Sequence, residues 1–325
     1  MKAILITGGC GFIGSNFIRL FLKSHPDWKI LNLDALTYAG NLENTQDYQD
    51  NPHYQFVQGN ICNEKLVDSL TAKVQAVINF AAESHVDRSF ENPSDFLEAN
   101  VMGFKTLIQG AMKHQIKKFL HISTDEVYGS LETGSADENA ALCPNSPYSA
   151  SKASADLLAR AYEKTFSYPI MITRSCNNFG PYQYPEKVIP LFITNLMNKK
   201  KVPLYGSGEN RREWIHVEDN CAALTLVFDQ GKPGEIYNIG SAHELSNNEL
   251  THHILETMGA SDQMIEYVKD RPGHDLRYAL NSKKIKQLGF KPRFEFLSAL
   301  RSTVDWYKQH QDWWLPLKNN KFTVK

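Results

Sequence analysis

The stretch ILITGGCGFIGSNFI, residues 4–18, constrains the fold more than any other segment. An apolar run stops at Gly8 and Gly9, and a helical pattern follows from about Phe12 to Lys23, with Gly8, Gly11 and Gly14 in the turn between them. The same alternation continues along the chain. Short runs that are apolar throughout lie at 29–33, 54–58, 75–80, 117–122, 169–173 and 235–240. Helical patterns fall at 63–72, 95–114 and 146–165, with a weaker one at 41–49. Strands that lack an apolar–polar alternation are buried on both faces, and strands that alternate with helices pair in parallel.

This pattern predicts an α/β chain: a Rossmann-type doubly wound parallel sheet with a smaller C-terminal substrate-binding α/β lobe. After residue 175 the loops lengthen and fill with Pro, Gly, Asn and Tyr, as in NNFGPYQYPEKVIP, PLYGSGENRREW and DRPGHDLRY. The boundary is therefore set at 1–175 and 176–325, with about 213–240 returning to the first domain because EIYNIG still reads as a strand. With 35 basic and 36 acidic residues the net charge is −1, so neither nucleic acid nor an anionic membrane is an expected partner. No apolar run approaches the roughly 20 residues that span a bilayer. The N-terminal run is too short and too glycine-rich for a signal peptide. Five cysteines without paired spacing read as reduced thiols of a cytoplasmic protein. No Cys/His cluster has zinc spacing, and no metal is expected.

The spacing of Gly8, Gly11 and Gly14 is G-x-x-G-x-x-G. Such glycines let the chain turn sharply and approach a pyrophosphate, and the helix N-terminus supplies free N–H groups and partial positive charge. An isolated match of this kind is also an ordinary glycine turn; its place between one strand and one helix favours a dinucleotide. Asp34 ends the second strand, where a carboxylate suits ribose hydroxyls and repels a 2′-phosphate. No Arg or Lys follows at 35–40, so NAD is expected over NADP.

Two further features carry chemistry. Tyr148 and Lys152, in NSPYSASKASAD, stand at i and i+4 and share a helix face. An ammonium near a phenol favours phenolate and is expected to lower the tyrosine pKa from about 10 toward neutrality. Alone, a surface Tyr/Lys pair is commoner. The second feature is KKFLHISTDEVYGS, where a buried strand ends in Ser123, Thr124, Asp125 and Glu126. A helix cap or solvated loop would explain it, and so would acid–base chemistry, which needs two carboxyl groups in different protonation states.

At this point the chain resembles the extended short-chain dehydrogenase/reductases, and among them the nucleotide-sugar 4,6-dehydratases, most closely those acting on dTDP-glucose. TGGCGFIGSNF, LDALTYAGNL, NFAAESHVDRSF, STDEVYGS, PNSPYSASKASAD and WYKQHQDWWLPLK carry the likeness almost end to end. The resemblance implies an NAD-binding first domain that bears the catalytic residues and a second lobe that binds a nucleotide sugar. It implies that Tyr148 removes the 4-hydroxyl proton as NAD takes hydride from C4, with Lys152 beside it and Thr124 on the C4 oxygen. Glu126 then removes the C5 proton, Asp125 protonates the departing 6-hydroxyl, and hydride returns to C6. By the same likeness Phe12, Ile13, Leu36, Thr37, Asn60, Ile61, Ala81, Ala82, Ser84 and Asn178 join the glycines, Asp34, Tyr148 and Lys152 at the cofactor. Ser84, Thr124, Asn177, Lys187, Val188, Pro203, Tyr205, Arg212, Asn247, Arg271 and His274 would hold the substrate. Arg suits a pyrophosphate and Tyr205 can stack on a base.

Asn60 stands where the pattern commonly has Asp, Ala99 where it has Thr, and Ser175-Cys176 reverse the usual order. None removes a catalytic group. Three alternatives remain open at this level: the same reaction on UDP-glucose or another nucleotide sugar, a 4-epimerase on the same frame, and an inactive NAD- or nucleotide-sugar-binding regulator. The Asp125-Glu126 pair disfavours the epimerase, and the intact catalytic set disfavours the regulator. A homodimer built through the helices at 95–114 and 146–166 is the family expectation.

Overall fold

The computed structural model describes residues 2–319; the outer ends of both expected domains, residue 1 and residues 320–325, lie outside them. The chain opens with β1 (Lys2–Thr7), α1 (Phe12–Ser24), β2 (Trp28–Asp34) and β3 (Tyr54–Gln58), then α2 (Glu64–Thr71) and β4 (Ala76–Asn79). Short helices α3 (Val86–Glu91) and α4 (Pro93–Phe96) lead through a π-helical turn, Leu97–Gly103, into α5 (Phe104–Lys113). β5 (Lys118–Thr124), α6 (Pro147–Phe166) and β6 (Ile170–Ser175) complete the first part. Next come β7 (Asn177–Phe179), α7 (Val188–Met197), β8 (Val202–Tyr205), β9 (Arg211–His216), α8 (Val217–Gln230) and β10 (Ile236–Ile239). The remainder holds β11 (Glu244–Ser246), α9 (Asn247–Met258), β12 (Ile265–Val268), α10 (Lys283–Gln287), α11 (Phe296–Gln309) and α12 (Gln311–Asn319).

Seven strands form one parallel sheet in the order β10-β6-β5-β4-β1-β2-β3. Successive residues point to opposite faces, which the burial follows. Ile4, Ile6, Ile78 and Leu120 face one core with Phe17 and Phe21 of α1 and Leu224 and Val227 of α8. Leu5, Val77 and Phe119 face the other with Val67 of α2, Leu107 of α5 and Ala155 of α6. The chain does return to the large sheet: β10 pairs with β6, and α8 packs on α1. A three-stranded sheet (β11-β9-β7) and a two-stranded one (β12-β8) belong to the other lobe, whose core gathers Phe192, Trp214, Leu250, Phe296 and Trp314.

Two local expectations change. The helix expected at 41–49 is a single 3₁₀ turn, Leu42–Thr45. Asn41 accepts from the Glu43 N–H at 3.0 Å, and Asn44 donates to the Cys10 carbonyl at 2.8 Å. These side chains bond local backbone or the glycine turn, in competition with a helical ladder. The helix expected at 95–114 widens into the π turn, which carries buried Asn100 to the Glu83 backbone and to Ser151 on α6.

Candidate active site

The glycine turn lies beyond β1, where the strand order reverses between β1 and β4. Open α/β sheets bind ligands at that point, outside the carboxyl ends of the strands. Gly8 has φ +72°, and a Cβ there would sit 2.6 Å from the Ala81 nitrogen. A Cβ on Gly14 would sit 2.3 Å from the Gly8 carbonyl oxygen. Only glycine fits either position. Gly11 caps α1 without a side-chain hydrogen bond, which leaves the first N–H groups of the helix for a ligand.

From this turn a cleft of about 260 Å³ runs between Asp34 and the Tyr148/Lys152 pair. Gly8, Gly11, Phe12, Ile13, Gly14, Asp34, Thr37, Asn60, Ile61, Ala81, Ala82, Ser84, Tyr148 and Lys152 all line it, as the sequence suggests. Leu36 and Asn178 do not. The Leu36 N–H donates to Asp34 at 2.8 Å, and Asn178 donates to the Cys176 carbonyl at 2.9 Å, so both serve their own loops. The cleft also takes Tyr38, Glu83, Tyr182, Gln183, Tyr184 and Glu186, which sequence reasoning missed. Tyr38 and Tyr184 meet edge to face at 5.7 Å, and the Arg88 guanidinium lies 3.9 Å over the Tyr38 ring. The aromatic cluster in GPYQYPEK is the one signal that could have pointed to this wall.

The cleft fits an NAD molecule: glycine backbone and open helix N–H groups for a pyrophosphate, a carboxylate at one end and a Tyr/Lys pair at the other. Asp34 is nearly buried and accepts from the Cys10 N–H at 2.9 Å as well as from Leu36, which aims it while lone pairs remain for ribose hydroxyls. Ala35, Thr37, Tyr38, Ala39 and Gly40 line this end without a basic side chain. Dinucleotide released from the denatured purified protein is therefore expected to be NAD(H), and a predominance of NADP(H) refutes that reading of Asp34.

At the other end the Ser-Thr-Asp-Glu run leaves β5 and enters a buried turn. Thr124 is the last residue of β5 and caps a 3₁₀ turn, Asp125–Tyr128, accepting from the Glu126 N–H at 3.3 Å. Val127 and Tyr128 anchor that turn in the interior. On α6, Ser146 and Ser149 form a reciprocal capping box with Pro147 in the first turn, which fixes where Tyr148 begins the helix. The Thr124 hydroxyl donates to Asp125 Oδ1 at 3.2 Å and also acts on the Tyr148 phenol, lowering its pKa against the larger upward influences. One hydroxyl thus stands between the phenol and a carboxyl group.

The two carboxyl groups differ in surroundings. Asp125 is 3% exposed and its Oδ2 has no hydrogen-bond partner among the described residues; burial, then the charge of Glu126, push its pKa well above the ordinary carboxylate range. Burial also raises Glu126, but the charges of Arg271, Arg212 and Lys187 oppose it. Both are raised, but Asp125 is pushed well up with little to oppose it while three cations restrain Glu126, so Asp125 is the better placed as acid and Glu126 as base.

Tyr148 departs from expectation. Its phenol is pushed above the ordinary value, first by burial, then by Glu126 and Asp125. Lys152 is outweighed by these influences; its Nζ donates to the Ile122 carbonyl at 2.7 Å, and burial lowers its own pKa to about 8. The i, i+4 spacing shows a shared helix face; it does not show two carboxyl groups arriving from β5.

The residues expected at the substrate divide. Lys187 and Ser84 line the cleft, with Lys187 Nζ donating to the Ser84 carbonyl at 2.9 Å. Thr124, Asn177, Val188, Pro203, Tyr205, Arg212, Asn247, Arg271 and His274 do not line it. Among these, Thr124, Arg212 and Arg271 meet at Asp125 and Glu126, on the far side of the Tyr148 end. Tyr205 and His274 pair edge to face at 6.4 Å, and Arg271 faces Asp87 at 3.6 Å. Pro203 lies with Tyr205 on β8, Val188 opens α7 and Asn247 opens α9. Asn177 opens β7. Arg212 also donates to the backbone carbonyls of Arg211, Asp275 and Leu276 and lies 4.2 Å over the Tyr278 ring. Much of its donor set holds the 275–278 loop in place. Among the described residues no helix is long and apolar enough to cross a membrane.

The family model described as GDP-mannose 4,6 dehydratase matches residues 5–303. The dTDP-glucose 4,6-dehydratase of Streptomyces niveus is 48% identical, with 97% of this chain and 96% of that protein covered. The low-salt glycan biosynthesis protein Agl12 of Haloferax volcanii is 52% identical, with 94% and 98% covered. The crystal structure of DesIV, a dTDP-glucose 4,6-dehydratase from Streptomyces venezuelae with NAD and dTDP bound, superposes with a TM-score of 0.95 at 48% identity, covering 97% of this chain and 100% of that one.

Proposed function

The chain belongs to the GDP-mannose 4,6-dehydratase family, and we propose that it is an NAD-dependent dTDP-glucose 4,6-dehydratase, converting dTDP-glucose to dTDP-4-keto-6-deoxyglucose and water. The observation that carries this reading is the ledge at the end of β5, where a buried Asp125 and a Glu126 under the charges of Arg271, Arg212 and Lys187 stand beside Tyr148. A 4-epimerase removes and restores the C4 hydrogen and has no need of the pair.

NAD, when bound, accepts hydride from C4 and returns it to C6. The chain supplies every proton transfer. Tyr148 takes the 4-hydroxyl proton, with Thr124 bonded to the same oxygen. The C4 ketone acidifies C5, and Glu126 takes that proton. Asp125 gives its proton to the departing C6 oxygen, so the C6–O bond breaks and water leaves. Glu126 returns its proton to C5. Tyr148 has then gained a proton and Asp125 has lost one, and the Thr124 hydroxyl, bonded to Asp125 and close to Tyr148, lies between the two groups that must be reset. Asp34 and the glycine turn hold the cofactor, Lys187 and Ser84 mark where cofactor and substrate meet, and Arg212, Arg271, Tyr205 and His274 face the nucleotide diphosphate. The first domain, residues 1–175, thus carries cofactor and catalysis, and most of 176–325 the nucleotide. Leu97, Met102 and Leu157 expose large apolar side chains on the π turn and α6, which supports a homodimer through this helical face. The five free cysteines support a reducing, cytoplasmic setting.

The test is turnover against dTDP-, UDP-, CDP- and GDP-glucose with products identified by mass. dTDP-glucose is expected to give the highest kcat/KM. UDP-glucose should be measurable but poorer, since one methyl group in an apolar pocket is worth roughly 10- to 200-fold. Equal or better efficiency with UDP-glucose overturns the substrate assignment and leaves the chemistry intact.

A further inference from the structure

Behind the catalytic pair lies a buried polar chain that the reaction above does not use. Tyr148, Lys152 and Asp156 follow one another at i, i+4 and i+8 along one face of α6. Asp156 is wholly buried. Its Oδ2 accepts from Arg174 Nε at 2.8 Å, and Arg174 Nη1 donates to the Tyr128 hydroxyl at 2.8 Å, which donates to Asn238. Its Oδ1 has no hydrogen-bond partner among the described residues and faces His121 Nε2 at 3.7 Å.

The tautomer of His121 follows from its neighbours. Thr7 donates to Asn79 Oδ1 at 2.6 Å, so the Asn79 amide nitrogen donates to His121 Nδ1 at 3.1 Å. The ring therefore carries its hydrogen on Nε2, toward Asp156. Burial and the charges of Lys152 and Arg174 keep this imidazole neutral. Arg174 from β6 and His121 from β5 thus hold the Asp156 carboxylate in one orientation, one helical turn from the buried ammonium of Lys152.

We propose that Asp156 is a positioning residue that keeps Lys152 protonated across the working pH range, acting through charge rather than through contact with substrate. The inference rests on the assignment of Lys152 above. The groups facing the Lys152 ammonium are Tyr148 and Asp156 on its own helix and the Ile122 carbonyl and neutral His121 on β5, with Arg174 of β6 beyond Asp156. Among the described residues, Asp156 supplies the negative charge that supports it. Burial already brings Lys152 down to about 8 with that support in place. Without it the ammonium loses its proton in the neutral range, and the partner of a Tyr148 phenolate disappears.

The test measures Lys152 directly, in holoenzyme with ¹³C-labelled lysine, its side-chain signal assigned by loss in Lys152→Met. In Asp156→Asn the titration midpoint of Lys152 is expected to fall by about one pH unit or more. The alkaline limb of the turnover profile should move down with it. An unchanged midpoint overturns the proposal, even if the variant is slower or less stable. Should the unpaired Arg174 prevent folding, the comparison is made in an Arg174→Gln background, where Asp156→Asn/Arg174→Gln is expected to show the fall relative to Arg174→Gln alone. The titration needs no sugar nucleotide, so its outcome is separate from the success or failure of the substrate assignment.

Discussion

Replacing Tyr148 with Phe is expected to lower turnover by roughly 10²- to 10⁴-fold, the range for losing a general acid–base group. The ring stays: Tyr148 is 9% exposed, meets Phe96 edge to face at 6.3 Å, and leaves space that Phe fills. The variant should fold and carry NAD as the wild type does, because the glycine turn and Asp34 are untouched. What is lost is the oxygen that Thr124 bonds and that meets the 4-hydroxyl. Burial and two carboxyl groups raise the pKa of the resting phenol, so it acts as the base only after giving up its own proton, as the phenolate that a cationic partner close by supports. Steady-state turnover with bound cofactor checks this, and a loss of no more than a few-fold removes Tyr148 from the role of base.

Asp125→Asn and Glu126→Gln should separate oxidation from elimination. Tyr148 and Lys152 remain in both variants, so hydride still leaves C4. Asp125→Asn replaces a buried neutral acid with a neutral amide of the same shape, which keeps the fold but removes the proton that the leaving hydroxyl needs. Glu126→Gln removes the acceptor for the C5 proton. In a single turnover with bound NAD, reduced cofactor is expected to accumulate at its near-ultraviolet absorbance. Loss of water should fall by about 10²-fold or more. Elimination at the wild-type rate in either variant rules out that carboxyl group.

Much of this site is legible in the residues because its parts are local. A strand, a glycine turn and a helix are adjacent in the chain, so their spacing predicts the cradle that Gly8 and Gly14 form. Tyr148 and Lys152 share a face by helical periodicity alone. The Thr124–Asp125–Glu126 run is continuous, and the cap it forms is built from neighbouring atoms. The parallel pairing of the large sheet follows from the alternation of strands with crossover helices, and the strand texture of EIYNIG from its apolar run.

Other features depend on what arrives from far along the chain. The 41–49 segment has helical texture, yet Asn44 is drawn to the Cys10 carbonyl, and a single 3₁₀ turn results. Leu36 and Asn178 lie beside the cofactor cleft in sequence and outside its wall in space. Tyr38, Tyr184 and Glu186 close that wall because two loops separated by well over a hundred residues meet there. The direction of the Tyr148 shift reverses because burial and two carboxyl groups on the turn after β5 outweigh the lysine one helical turn away. Periodicity and spacing determine backbone path and shared faces, since those are set within a few residues. Charge state is decided by the tertiary structure, because desolvation and Coulomb interactions sum over every group that the fold brings near.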